Sequence, residues 1–256
     1  MKSKIIFISI VLLSLLLRIY AFGSNPPSLY WDETSLGYNA YSIATSLKDE
    51  HGQFLPLARF IAFGDYKPPG YIYTASLFVW LGGLNEITVR LPSLLAGLGL
   101  VIFTYLITKE IFGKEKIALL AFFIMSISPW GIHFSRVAFE ANLAAFFNLL
   151  GIYFFLISRR KKYFILPSTI LFIFSFYTFN ANRIIAPLML FVMSIIYLKD
   201  IWMNKKWALI SVIIGLIMIV PSFSFLQSRE SRLRFQEVSI FNNLDLFHFS
   251  MDLRPV

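Results

Sequence analysis

The residues that could carry chemistry in this sequence are isolated charges beside long apolar blocks. They comprise three carboxylates and three cations: Asp32, Glu33, Glu140, Lys67, Arg136 and Arg183. A carboxylate can accept or orient a proton, and a Lys or Arg side chain can bind an anion through charge-assisted hydrogen bonds. If the fold gathers these groups, they form a site for an anionic substrate with an acid or base beside it.

Each candidate also has a structural interpretation. Asp32 could cap the helix that follows it, with a second acid in the first turn. Lys67 stands before two prolines and could extend from a turn to the membrane surface. Arg136 and Glu140 have the spacing of a helical ion pair, and Arg183 could anchor a helix at the interface. These interpretations do not exclude a role in chemistry.

Several classes of function lack support in the sequence. It contains no cysteine, which excludes disulfides and thiolate metal sites. It also contains no Walker-type glycine loop, no dinucleotide-binding fingerprint and no His-x-x-x-His pair. ATP-driven and nicotinamide-dependent chemistry therefore have no support.

The elements that must position the charged residues are membrane helices. Hydrophobic residues make up 57% of the chain and charged residues only 14%, against roughly 25% charged residues in soluble domains. The formal net charge is +9, but the basic residues form short clusters between apolar blocks. That placement is typical of membrane orientation signals and not of a nucleic-acid surface.

Seven apolar blocks have the length of a spanning helix or come close to it, since a span needs about 20 residues. They are residues 5–22, 91–108, 117–135, 141–158, 163–182, 184–198 and 207–228. The run 71–84 is shorter, and a run of about 14 residues is more often re-entrant or interfacial. If it does not span and the N-terminus is cytoplasmic, the basic clusters near 109–116, 159–162 and 199–206 all face the cytoplasm, as the positive-inside rule requires.

The predicted fold is therefore all-α and integral to the membrane. It has about seven transmembrane helices and a long first outer loop, residues 23–90, that carries amphipathic or re-entrant helices. Residues 34–47 place their apolar side chains on one helical face, which predicts a helix lying on the membrane. We expect residues 1–226 to form one transmembrane module. Residues 227–256 read as the start of an extracytoplasmic segment, cut short here.

This topology places all of the candidate residues in outer connections, on one side of the membrane. Ionisable residues at membrane depth are costly and are functional candidates by default. The protein is thus expected to be a multi-pass protein of the plasma membrane, with a cytoplasmic N-terminus and an active face outside the cytoplasm.

The ordered motifs resemble those of the GT-C class of glycosyltransferases that use polyprenyl phosphates. The chain is most similar to glycosyltransferase family 39, the protein O-mannosyltransferase and aminoarabinose transferase group. The similar segments run in the family's order over most of residues 1–226: Trp31-Asp32-Glu33, Lys67-Pro68-Pro69, Arg90-Leu91-Pro92-Ser93, Ser135 to Asn142 and Tyr177 to Arg183. Two features depart from the pattern. Gly70 stands where the family usually has a large apolar residue, and relatives are about twice as long.

The resemblance implies a mechanism. Members of the family move a sugar from a polyprenyl (dolichyl or undecaprenyl) phosphate to an acceptor hydroxyl, with inversion. Asp32 would be the general base or would orient the hydroxyl, and Glu33 is the neighbouring acidic candidate. Glu140 would hold Arg136 or contact the sugar or acceptor. Lys67, Arg136 and Arg183 would stabilise the charge of the leaving phosphate.

The resemblance also implies the partners. They are a polyprenyl-phosphate-linked sugar, a protein or lipid acceptor and the bilayer, with no nucleic acid. Some members of the class use a divalent cation held by acidic residues in these loops, and Asp32 and Glu140 could hold one here. We assign no metal ligand from the sequence.

Two other functions remain open from the residues alone. A transporter or flippase for a lipid-linked anion is one, although broken helices and midplane charges would favour it and the charges here lie at one face. A non-catalytic fragment of a larger transferase is the other. In that case the chain would bind the donor lipid but transfer sugar poorly.

Overall fold

The computed structural model describes residues 2–63, 65–228 and 230–231, which are mostly helical. Within these residues there are eleven α-helices and one antiparallel two-stranded hairpin. The helices are α1 Lys2–Ile19, α2 Trp31–Ser46, α3 Pro69–Gly82, α4 Glu86–Phe112, α5 Glu115–Ile127, α6 Pro129–Ser135, α7 Glu140–Ser158, α8 Ile165–Phe176, α9 Asn182–Ile196, α10 Leu198–Met203 and α11 Lys205–Gln227. The strands are β1 Phe60–Ala62 and β2 Asp65–Lys67. Most of the segment predicted for 227–256 lies outside the described residues.

The prediction of a helical membrane protein is confirmed. Among the described helices, α4, α7 and α11 are long and apolar enough to cross a membrane. The pair α5 and α6 adds a fourth candidate if it forms one span bent by 58°. The apolar helices at residues 162–176 and 182–196 are shorter. All seven predicted segments contain a helix, but the number of spans stays a prediction.

Prolines and caps explain where several of these helices begin and break. Asn85 caps α4, because its side-chain oxygen accepts hydrogen bonds from the amides of Ile87 and Thr88. Pro129 separates α5 from α6, since a proline has no amide hydrogen to continue the helical ladder. The freed carbonyls of Met125 and Ser126 instead accept hydrogen bonds from the Arg18 guanidinium of α1.

The structure corrects the prediction for residues 34–47. The expected apolar face of α2 includes Leu36, Ala40 and Ile43, and all three are buried. They belong to a core cluster that also contains Ile72 and Ala75 of α3. Most of the face therefore packs on protein and not on the membrane, while Leu47 at its C-terminal end is exposed. Periodicity identified the face but carries no information about what covers it.

The first outer loop also contains the β1–β2 hairpin, which the all-α prediction missed. Its strands have three residues each, too few for a two-residue alternation to stand out in the sequence. The register pairs Phe60 with Lys67 and Ala62 with Asp65. Because β2 ends at Lys67 and α3 begins at Pro69, the hairpin fixes the position from which the Lys67 side chain extends.

Candidate active site

The centre of the candidate site is an ion pair between two loop elements. Asp32 is the second residue of α2, and Lys67 is the last residue of β2. The Lys67 Nζ donates to Asp32 Oδ1 at 2.7 Å. The Lys67 side chain is 5% exposed, whereas that of Asp32 is 50% exposed. The pair therefore holds one oxygen of a carboxylate in place and leaves the group open to an incoming ligand.

The neighbouring acid, Glu33, has a different environment. It is fully buried and forms a two-armed ion pair with Arg90 of α4, with both Nε–Oε1 and Nη2–Oε2 at 2.8 Å. The same carboxylate accepts hydrogen bonds from the backbone amides of Ala138 at 2.6 Å and Tyr30 at 3.2 Å. Glu33 thus joins the start of α2 to α4 and to the loop before α7.

Arg90, the partner of Glu33 in this buried ion pair, makes two further hydrogen bonds. Its Nη1 donates to the carbonyl oxygen of Pro26 and its Nη2 to that of Ser28. A buried charge is tolerated when it is paired and its donors are satisfied. The Glu33–Arg90 pair therefore fixes the loop that leads into α2, and with it the direction of Asp32.

Arg136, predicted to bind the donor phosphate, is surrounded by backbone carbonyls. Its guanidinium donates to the carbonyl oxygens of Leu17, Ala21 and Asn25 at distances between 3.0 and 3.2 Å. These carbonyls lie at and just beyond the end of α1, where a cation is favourable because the helix dipole is negative there. Arg136 therefore clamps α1 to the start of the α6–α7 connection.

Glu140 is the first residue of α7 and lies close enough to Tyr30 to influence it electrostatically. Burial raises the pKa of the Tyr30 phenol, and the negative charges of Asp32, Glu33 and Glu140 raise it further. Tyr30 consequently stays protonated and can donate a hydrogen bond beside the carboxylates. Sequence reasoning missed it, because a tyrosine near a membrane helix is also typical of an interfacial belt.

The residues that the structure describes contain no group of three or more His, Asp or Glu side chains able to hold a metal ion. The two acids named for a divalent cation, Asp32 and Glu140, therefore do not belong to such a group in this part of the chain.

Arg183 shares an aromatic partner, Phe225, with a second arginine that sequence reasoning also missed. The Arg183 guanidinium sits 4.6 Å from the centre of the Phe225 ring, and that of Arg59 sits 5.3 Å from the same ring. Arg59 pairs with Glu230 at 2.8 Å, and Arg183 Nη2 donates to the carbonyl of Ala58 at 3.4 Å. Within the described residues, the Nε of each arginine is buried and has no hydrogen-bond partner.

An apolar cavity of about 380 Å³ is lined by residues that are close in the chain to two of the cations. Leu57 and Pro69 are each two residues from Arg59 and Lys67, respectively. The rest of the lining includes side chains of α7, α8 and α11, namely Phe147, Phe174, Met218 and Pro221. Gly70 also lines it and donates its amide to the carbonyl of Tyr177 at 2.7 Å. A Cβ at Gly70 would clash with Thr178 Oγ1, so this chain needs glycine at the position where it departs from the family pattern.

Comparison with known proteins identifies the family. The profile of the dolichyl-phosphate-mannose-protein mannosyltransferase family matches residues 8–181, which is more than half of the chain. The chain belongs to this family. The resemblance seen in the motifs is thereby confirmed, and the match includes the segments that carry Asp32, Lys67 and Glu140.

Two other proteins are similar in sequence to this chain. "Putative mannosyltransferase YkcB" of Bacillus subtilis (strain 168) is 29% identical over 163 residues, which is 62% of this chain and 21% of that protein. An "Uncharacterized protein" of Aquifex aeolicus (strain VF5) is 31% identical over 139 residues, 50% of this chain and 28% of that protein. The match thus covers between a fifth and a third of each relative's length.

Proposed function

We propose that this chain forms the donor side of a membrane glycosyltransferase. The enzyme would move a sugar from a polyprenyl phosphate to an acceptor hydroxyl on the extracytoplasmic side, with inversion. The family supports a membrane glycosyltransferase in general. The observation that carries the finer proposal is the half-exposed Asp32 carboxylate, held by the buried Lys67 ammonium at 2.7 Å.

The reaction needs a base at the acceptor hydroxyl and positive charge at the departing phosphate. The acceptor oxygen forms the new bond to the anomeric carbon while the bond to the lipid phosphate breaks. The proton of the acceptor hydroxyl passes to Asp32, and the bonding electrons leave with the phosphate. Lys67 uses one of its three donors on Asp32, so its others are available to the departing phosphate.

The cations are proposed to have different roles. Lys67 and Arg183 would bind the phosphate, whereas Arg136, whose donors serve the end of α1, would position that helix. Glu33 would likewise act through the loop it holds and not on the substrate. Glu140 and the Tyr30 phenol would contact the sugar or the acceptor.

Neutralising Lys67 or Arg183 is therefore expected to weaken binding of a polyprenyl phosphate about 10- to 100-fold, the value of a lost hydrogen bond to a charged group. Binding of the uncharged polyprenol should change little, since it has no phosphate. Lys67→Met and Arg183→Gln in the intact protein, reconstituted in nanodiscs, can be compared by equilibrium binding of both lipids.

Arg136→Gln supplies the contrast in the same assay. Arg136→Gln should weaken the binding of both lipids to a similar extent, or of neither, because the proposed role of Arg136 is structural. If Lys67→Met and Arg183→Gln also affect polyprenol and polyprenyl phosphate equally, neither side chain binds the phosphate.

The sidedness of the site and the seven-span arrangement give a separate prediction. The sequence has no cysteine, so a single introduced cysteine reports one position. Gln53→Cys should react with an impermeant maleimide added outside intact cells, whereas Lys161→Cys and Lys205→Cys should react only after permeabilisation; all three residues are exposed. Labelling of position 161 from outside would contradict the topology and the shared outer site.

A further inference from the structure

Two large aromatic side chains near the proposed base, Asp32, are mostly exposed. Trp31 and Phe63 pack with their ring centres 4.7 Å apart, yet they are 68% and 63% exposed. Trp31 directly precedes Asp32, and Phe63 lies in the turn between β1 and β2. Nothing in the sequence alone connects residue 31 with residue 63.

The hairpin touches the start of α2 at two adjacent points. Phe63, at its turn, contacts Trp31, and Lys67, at the end of β2, pairs with Asp32. Trp31 and Asp32 are the first two residues of α2, so the hairpin contacts the first turn of this helix through both side chains. That turn therefore carries both an exposed ring surface and a half-exposed carboxylate.

The backbone at Phe63 supports a specific role for its ring. Its φ is +53°, a left-handed conformation that is uncommon for a bulky side chain. Residues persist in such conformations where the surrounding structure imposes them, and these positions cluster at ligand sites. Here the conformation accompanies a contact with Trp31 that leaves most of both rings open.

We propose that Trp31 and Phe63 form a platform for one pyranose ring, held with its hydroxyls towards Asp32. A pyranose has an apolar face of C–H bonds and an edge of hydroxyls. An aromatic surface complements the first, and a carboxylate that accepts hydrogen bonds complements the second. This inference rests on the proposed function. The ring would belong either to the sugar under transfer or to a saccharide acceptor.

Contact with the bilayer is the competing explanation, because tryptophans are enriched at membrane interfaces. Trp80 offers a matched case on the same chain. It is 72% exposed and shares a face of α3 with Leu77 and Leu81, which are also exposed. That apolar face is typical of lipid contact, whereas Trp31 lies next to an ion pair.

The first test compares Trp31→Ala, Phe63→Ala and Trp80→Ala in the intact protein in nanodiscs. The probes are polyprenyl-phosphate mannose, sugar-free polyprenyl phosphate and mannobiose. Trp31→Ala and Phe63→Ala should weaken one mannose-bearing probe about 5-fold or more, as expected for lost aromatic contacts. Sugar-free polyprenyl phosphate should bind as before, Trp80→Ala should change nothing, and Trp31→Phe should recover part of the loss.

The pattern of losses identifies the source of the ring. A loss confined to polyprenyl-phosphate mannose assigns the platform to the sugar under transfer, and a loss confined to mannobiose assigns it to an acceptor. Equal losses for all three probes, or no loss for either sugar, would overturn the platform. If wild-type protein fails to bind sugar-free polyprenyl phosphate, the proposed function itself fails, which is a distinguishable result.

A second measurement examines the bilayer explanation directly. Variants that keep only Trp31 or only Trp80 can be reconstituted with brominated lipids, which quench tryptophans in contact with acyl chains. We expect strong quenching of Trp80 and weak quenching of Trp31. Quenching of Trp31 as strong as that of Trp80 would make it an interfacial anchor and would contradict the platform.

Discussion

Replacing Asp32 with Asn is expected to lower the turnover number by at least roughly 10²-fold, the usual loss when a general base is removed. Asparagine has almost the same shape and can still accept a hydrogen bond from Lys67 through its amide oxygen, so the pair observed at 2.7 Å can persist. It cannot take a proton from the acceptor. Donor binding should therefore be largely kept, and single-turnover transfer from a radiolabelled lipid-linked sugar should be slow.

Asp200 provides the matched control for this substitution. It pairs with Arg159 at 3.0 Å, and its side chain is 31% exposed, so it resembles Asp32 in both pairing and partial exposure. In the predicted topology it lies on the opposite side of the membrane. Asp200→Asn should leave the turnover number close to that of the wild type. Near-normal transfer by Asp32→Asn would reduce Asp32 to a helix-capping residue.

Hydropathy located the helices of this protein better than it located their breaks. The block 117–135 was predicted as one span, but Pro129 divides it into α5 and α6 at an angle of 58°. The block 163–182 contains α8, which covers only Ile165–Phe176. The length of an apolar block indicates whether the block could span a bilayer. It does not show where a proline, which has no amide hydrogen, interrupts the helix or where a loop packs against the hairpin.

The motif residues were visible in the sequence, but their separate environments were not. Asp32 and Glu33 are consecutive, and successive residues on a helix point about 100° apart. One therefore faces Lys67 and the surface, while the other faces Arg90 in the interior. Nothing in the two residue types distinguishes them. Only the placement of α4 and the hairpin does so.

Arg136 and Arg59 show a related limit. The partners of Arg136 are backbone carbonyls at the end of α1, and any residue type could have supplied them. Arg59 and Arg183 both contact the Phe225 ring although they come from distant parts of the chain. Such contacts have no local sequence signature, so a charge pattern alone could not separate a clamp from a ligand-binding group.

The second large effect is expected at the buried joint between Glu33 and Arg90. Glu33→Ala would leave the Arg90 charge without its carboxylate and the amides of Ala138 and Tyr30 without their acceptor. Removing one partner of a buried ion pair costs about 3–5 kcal/mol. For a domain of this size, that loss lowers the melting temperature by on the order of 10 °C. Thermal unfolding of the purified protein in detergent, followed by tryptophan fluorescence, would measure it.

The double variant Glu33→Leu with Arg90→Met separates positioning from chemistry. It removes both charges and keeps similar volume, and buried ion pairs replaced in this way often lose little stability. We expect its melting temperature to recover part of the loss, because no charge is left unpaired but the amides of Ala138 and Tyr30 still lack their acceptor. If Glu33 only positions α2, turnover should also recover substantially, because Lys67 still holds Asp32. A double variant that is stable but as inactive as Asp32→Asn would instead make the Glu33 carboxylate part of the chemistry.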